Sequence, residues 1–121
     1  MMRKVWIMLA AAALCPTTGL LDARPAAAGG AIVRAVLFWA EGCPHCHEVI
    51  DKALPPLQLK YGEQLQIAMI EVSGKANYDY FRQLEDTAQV PAARRGVPAL
   101  FIADRILVGS QEIPRELPGL I

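Results

Sequence analysis

Phe38-Trp39-Ala40-Glu41-Gly42-Cys43-Pro44-His45-Cys46 decides how the rest of the chain is read. Ala35-Val36-Leu37-Phe38-Trp39 is a continuous apolar run of strand length, closed by the break at Glu41-Gly42. Pro44 suits the first turn of a helix, where its missing N–H leaves no hydrogen bond unmade. A helix is therefore expected from Cys43 onward, which puts that cysteine at a strand-to-helix junction. There, unpaired backbone N–H groups and the helix dipole favour an anion and lower a thiol's pKa. Cys46 falls one turn further on the same face, near enough to attack a disulfide formed on Cys43. His45, between the two, can donate to a thiolate or support it electrostatically.

Downstream, Cys46, Val49, Ile50, Ala53, Leu54 and Leu57 recur at helical spacing and define one apolar face. Pro55-Pro56 is expected to kink or end that helix, leaving residues 57–61 as a further turn. Residues 65–72 read as a second buried strand, with Met69 in the core, and Ser73-Gly74 as a break. Residues 78–88 read as an amphipathic helix with Phe81, Leu84 and Ala88 facing inward. Residues 90–96 read as loop. Residues 99–102 and 106–108 make a hairpin around Ala103-Asp104-Arg105. Pro114 and Pro118 leave room for only a short helix in the tail. The order strand, helix, strand, helix, strand, strand, short helix implies an α/β layer fold with a mixed sheet.

The N-terminus has the layout of a secretory signal. Arg3 and Lys4 are followed by a wholly apolar run over 5–14, then by Cys15-Pro16-Thr17-Thr18-Gly19 and Ala26-Ala27-Ala28. Cleavage is expected after Ala28, so residues 1–28 are a signal peptide and 29–121 the domain. The alternative is an uncleaved anchor over 5–21, marginal for spanning because Pro16 to Gly19 interrupt it. Cys15 follows Leu14, where lipid attachment needs a small residue, so Cys15 is expected to leave with the signal. Of three cysteines, Cys43 and Cys46 then remain, in a periplasmic or other extracytoplasmic compartment where disulfides persist. Cysteines two residues apart close too small a loop to staple a fold usefully. The pair reads as chemical rather than structural.

Composition agrees with one small globular domain. The chain has 121 residues, 12 basic against 12 acidic, and 54% apolar residues. Zero net charge excludes the basic excess of a nucleic-acid binder, and the apolar content excludes disorder. The positive mean hydropathy is concentrated at the N-terminus. No later stretch approaches the roughly 20 apolar residues of a spanning helix.

Residues 38–46 resemble the active-site segment of the thioredoxin superfamily. Arg95-Gly96-Val97-Pro98-Ala99-Leu100 resembles that superfamily's loop with a cis-proline before the third strand. The resemblance extends beyond the two motifs to cover residues 35–113. The resemblance implies a thioredoxin-like fold: a central mixed four-stranded sheet flanked by helices. The final helix is expected to be short or truncated, since such domains usually continue beyond the position of Ile121. It further implies that Cys43 is the nucleophile, Cys46 the resolving thiol, and the two together a redox-active disulfide. Pro98 is then the cis-proline packed against that disulfide, and the backbone of Val97 pairs with an extended substrate strand.

The implied activity is that of an exported protein thiol–disulfide oxidoreductase without a cofactor. It is expected to be a monomer acting on protein thiols and disulfides, with no nucleic-acid partner. Pro44-His45 is similar to the dipeptide of periplasmic disulfide-forming oxidases, which implies an oxidising or isomerising bias. Leu54-Pro55-Pro56-Leu57 and Ile106-Leu107-Val108-Gly109-Ser110 are similar to small thioredoxin-like domains found alone or fused to vitamin K epoxide reductase homologues. From that likeness comes the expectation of a membrane quinone-linked redox partner. Three positions depart from the pattern. Leu37 stands where thioredoxins bury an acid, Gly42 where many have Trp, and Ala99 where Thr is common. Leu37 removes the means for a thioredoxin-like proton relay.

The same residues allow a second class of function. Cys43-Pro44-His45-Cys46-His47 matches the Cys-x-x-Cys-His haem c attachment pattern, with His47 as proximal ligand. Cys43, Cys46 and His47 also suit copper or zinc, although no fourth ligand is evident. Outside those readings His47 is a surface residue of the first helix, Trp39 partial core, and Glu41 a surface acid. Arg94 and Arg95 read as a solvated loop pair. Tyr78 and Tyr80 cannot share one helical face, so at least one is exposed.

Overall fold

Val33–Trp39, rich in the β-branched and aromatic side chains that suit a pleated surface, forms strand β1. The computed structural model describes residues 30–121, so the expected signal or anchor and Cys15 lie outside the described residues. Beside β1 run β2 (Leu65–Glu71) in parallel and β3 (Ala99–Ile102) antiparallel. β3 turns at Ala103-Asp104 into antiparallel β4 (Arg105–Val108). The order β2-β1-β3-β4 is a four-stranded mixed sheet, so the α/β class expected from the sequence holds.

Alternation along β1 sends Leu37 to one face and Phe38 to the other, and both are completely buried. Leu37, Leu100 and Leu107 are register partners across three strands and anchor one apolar layer with Val49, Leu54, Ile113 and Leu117. Phe38 and Ala99 build the other layer with Phe81 and Val72. Phe38 stacks on Phe81 at 4.8 Å between ring centres and meets Phe101 edge-on at 5.4 Å.

The helix after β1 does not end at the prolines. α1 (Pro44–Glu48) runs into a π turn (Val49–Ala53) and on into α2 (Leu54–Tyr61) without a break. The Leu54 N–H bonds the Val49 carbonyl, five residues back, and this widens the helix just before the proline pair. A regular turn would demand N–H groups from Pro55 and Pro56 and would press their rings against the preceding carbonyls. The wide turn lets Pro55 fall in the opening turn of α2, where no N–H is required. Cys46, Val49 and Leu54 are buried, with Ile50, Ala53 and Leu57 packed beside them.

Two further expectations are corrected. β2 is an edge strand rather than a buried one, and Met69 is 44% exposed rather than core. It shares a face with its register partner Leu37, but among the described residues β1 is the only strand beside it. α3 (Lys75–Thr87) starts earlier than expected and turns Phe81 and Glu85 into the core. Ala88 has the right spacing, yet it lies past the end of the helix as its C-cap and is exposed.

The tail makes α4 (Gly109–Glu116), with Pro114 inside it, and then a 3₁₀ turn over Leu117–Leu120. This is the short final helix expected. Among the described residues, no helix is long and apolar enough to cross a membrane.

Candidate functional site

The end of β1 and the start of α1 are held together by short-range bonds. The Val72 N–H donates to the Trp39 carbonyl (2.9 Å), and the Cys43 N–H closes a turn onto the Ala40 carbonyl (3.1 Å). Glu71 accepts from the Glu41 N–H and from both the N–H and the hydroxyl of Ser73. The Ser73 bonds hold the Glu71 carboxyl below the usual carboxylate range, with the Glu41 N–H adding to the effect.

Cys43 is the N-cap of α1, in extended conformation, with Pro44 following at the first helical position. Its carbonyl accepts the N–H groups of Cys46 (3.1 Å) and His47 (3.2 Å). Its sulfur also accepts the Cys46 N–H, at 3.2 Å. Cys43 and Cys46 form a disulfide, their Cα atoms 5.2 Å apart. The two sulfurs differ in access: Cys46 is fully buried and Cys43 only partly. An incoming sulfur therefore meets Cys43.

The second motif comes to the same place from 54 residues away. The Val97 carbonyl oxygen lies 3.8 Å from Cys43 Sγ. In the disulfide Sγ carries no proton, so this is a contact; in the reduced thiol the same oxygen is an acceptor for S–H. The Val97-Pro98 peptide is cis, and Pro98 is fully buried. The Pro98 carbonyl accepts the Gly109 N–H (2.8 Å), which ties this loop to the start of α4. An open groove of about 450 Å³ follows, lined by His45, Val97, Pro98, Ser110 and Arg115 among others.

The two histidines point to different partners. Nδ1 of His45 lies 3.2 Å from Ser110 Oγ and 3.4 Å from Glu48 Oε2. The Ser110 hydroxyl and then the His45 ring hold the Glu48 carboxyl below the usual carboxylate range. Nε2 of His47 donates to the Glu41 carbonyl at 2.7 Å, and the ring meets Trp39 edge-on. His47 thus stays on the surface, as one of its sequence readings had it. Its Nε2 is taken up by the Glu41 backbone carbonyl. Among the described residues, no three His, Cys, Asp or Glu side chains converge to hold a metal ion.

Arg94 is exposed, as expected of a solvated loop, and Arg95 half-buried, but both are paired. Arg94 Nη2 donates to both carboxylate oxygens of Glu112 (2.8 and 2.9 Å), and Glu112 also accepts the Val108 N–H (3.1 Å). Burial opposes the charge of Glu112, but the Val108 N–H and the Arg94 guanidinium outweigh it. The net result is a carboxyl below its ordinary range. Arg95 donates from Nε to the Val90 carbonyl (2.8 Å) and pairs through Nη1 with Asp86.

Glu85 was missed by the sequence reading. It is buried and bonded to the backbone of Gly96, next to Val97. The available signal was its place four residues after Phe81, on the inner face of the helix. Tyr78 and Tyr80 are both exposed.

No protein-family model matches the chain, and no curated protein matches it in sequence.

Proposed function

We propose that the chain is a member of the thioredoxin superfamily. More particularly, it is proposed to be an exported protein thiol–disulfide oxidoreductase that donates its Cys43–Cys46 disulfide to protein thiols. One observation carries this reading: a disulfide at a helix N-terminus with one reachable sulfur, Cys43, and one fully buried, Cys46. Two further observations support it. The sheet order β2-β1-β3-β4 is compatible with the superfamily's fold, and the Val97-Pro98 segment lies against Cys43.

In the proposed reaction a substrate thiolate attacks Cys43 Sγ. The Cys43–Cys46 bond breaks and Cys46 leaves as the thiolate, with its electron pair. A second substrate thiolate then attacks the substrate sulfur of the mixed disulfide and releases Cys43 as a thiolate. The substrate has lost two electrons and gained a disulfide, and the protein has become the dithiol. The reverse sequence begins with attack by Cys43 on a substrate disulfide and ends with resolution by Cys46.

The Cys46 N–H at Cys43 Sγ and the N-terminal position on α1 favour a thiolate there. A stable thiolate is a good leaving group and favours the reduced form, which makes the pair an oxidant. His45 supports the same charge from two residues away, and an extended substrate strand pairs with the backbone of Val97. Export follows the signal-like N-terminus, and reoxidation falls to a membrane quinone-linked partner.

Equilibration of the domain with glutathione tests this. Thioredoxin sits near about −270 mV and strong periplasmic oxidants near about −120 mV, roughly 7 kcal/mol apart for two electrons. A potential towards the upper value is expected. One near thioredoxin's would reverse the direction proposed, and no defined couple, or a haem absorption band, would end the reading.

A further inference from the structure

Glu85 brings a carboxylate into the core, only 1% exposed. A buried charge is costly unless its lone pairs are satisfied, and here both oxygens are. Oε2 accepts from Arg82 Nη1 at 2.7 Å, and Oε1 accepts the backbone N–H of Gly96 at 3.1 Å. The neighbouring Asp86 holds Arg95. Arg95 reaches the Val90 carbonyl, and the Val90 N–H returns to the Glu85 carbonyl at 2.9 Å. Two consecutive residues of α3 thus grip two consecutive residues of the loop, Arg95 and Gly96. Gly96 has φ +139°, a conformation that favours glycine, so this backbone geometry depends on residue type as well as on the grip. The next residue is Val97, whose carbonyl stands 3.8 Å from Cys43 Sγ.

An apolar side chain of the same size would fill the space without burying a charge. What it would not do is hold the Gly96 N–H. We propose that Glu85 is a positioning residue for the dithiol: it holds the Val97 carbonyl against Cys43 and so sets how readily the reduced Cys43 ionises. This rests on the reading of Cys43 and Cys46 as a redox couple. In the reduced protein that carbonyl accepts from the Cys43 thiol and repels its thiolate, whereas the Cys46 N–H does the opposite. Release of the loop removes the first influence and leaves the second. The thiolate gains, and the disulfide becomes easier to reduce.

The test uses the full chain with Glu85→Ala and Glu85→Gln. Cys43 is titrated by thiolate absorbance, and the disulfide is equilibrated with glutathione. Glu85→Ala is expected to lower the Cys43 pKa by about one unit and to move the glutathione equilibrium towards the dithiol by about tenfold. Glu85→Gln keeps an oxygen for the Gly96 N–H and is expected to restore most of both. If Glu85→Ala does not fold, Arg95→Met, which cuts the outer arm of the grip, decides with the same two measurements and a smaller shift in the same direction. A folded variant that is less stable but titrates and equilibrates as the wild type does would make Glu85 purely structural and overturn the proposal. A shift in the opposite direction would also overturn it. Absence of a defined dithiol couple in the wild type would instead overturn the redox reading itself.

Discussion

Ser110 Oγ lies 3.2 Å from His45 Nδ1, joining the first turn of α4 to the residue between the two cysteines. The imidazole is thereby steered towards α4 and Glu48, at the rim of the groove beside the disulfide. Whatever it contributes to the charge on Cys43 acts from that fixed place.

His45→Ala is expected to shift the glutathione equilibrium about tenfold towards the disulfide, because the support proposed for the thiolate is lost. Ser110→Ala, which frees the ring without removing it, is expected to move the equilibrium in the same direction by about threefold or less. Equal effects would mean that the ring works only through its tether. No effect of His45→Ala would remove His45 from the site.

The difference in access between the sulfurs has a direct chemical readout. After reduction, an alkylating agent is expected to modify Cys43 at least about a hundredfold faster than Cys46, which is fully buried. Cys46→Ala is expected to accumulate mixed disulfides with thiol proteins, among them the proposed quinone-linked partner, while Cys43→Ala accumulates none. Peptide mapping of the alkylated protein and non-reducing gels decide both points. Faster labelling of Cys46 would contradict the assigned order of attack.

Glu112 links stability to pH. Its carboxyl is held below the ordinary range, so its contribution is complete above the unfolded-state value and drains away as pH falls through the folded-state value. Glu112→Gln is expected to lose about 1 kcal/mol near pH 7, since the Arg94 pair goes and the Val108 bond weakens. The gap from wild type should close as pH falls through the folded-state value, where the carboxyl of the wild type itself takes up a proton. Urea unfolding at pH 7 and at a series of lower pH values measures it. A gap that stays constant would mean that the carboxylate's charge plays no part.

Leu54→Ala is expected to cost about 3 kcal/mol, from lost transfer energy and the cavity left in the helical layer. Met69→Ala, on the exposed edge strand, is expected to stay within about 0.5 kcal/mol of wild type. Denaturant midpoints of the two variants compare the predictions directly, and similar losses would place Met69 in a core after all.

The elements around Cys43 were legible because each carries a local signal. An apolar run, a Gly break and a proline at the first helical position place the junction without any knowledge of the rest. The β3–β4 hairpin is equally local. Met69 went astray because strand order is not local: the apolar run Ile67 to Ile70 is the same string whether its strand is central or at an edge. Glu85 was overlooked because a carboxylate on the inner face of a helix makes sense only with its partners Arg82 and Gly96, the second on another element. The pairing of Arg94 and Arg95 was hidden for the same reason, their acceptors lying on α3, α4 and the loop before them. Pro55-Pro56 breaks a helix only where the winding is regular, and the π turn before it removes that conflict.

The π turn at Val49–Ala53 also settles a question of phase. Val49 and Leu54 are both buried, yet residues five apart on a regular α-helix point about 140° away from each other. The wider turn takes up that angle, so the stripe begun at Cys46 continues onto α2 as one seam. Removing a single residue from 49–53 would restore regular winding and keep α2 in phase, because positions four apart on an α-helix lie only about 40° apart. Winding the same residues as regular α-helix without that deletion would swing α2 by roughly 100° about its axis, and the turn that holds the two cysteines would keep its own geometry while the helix behind it lost its seat.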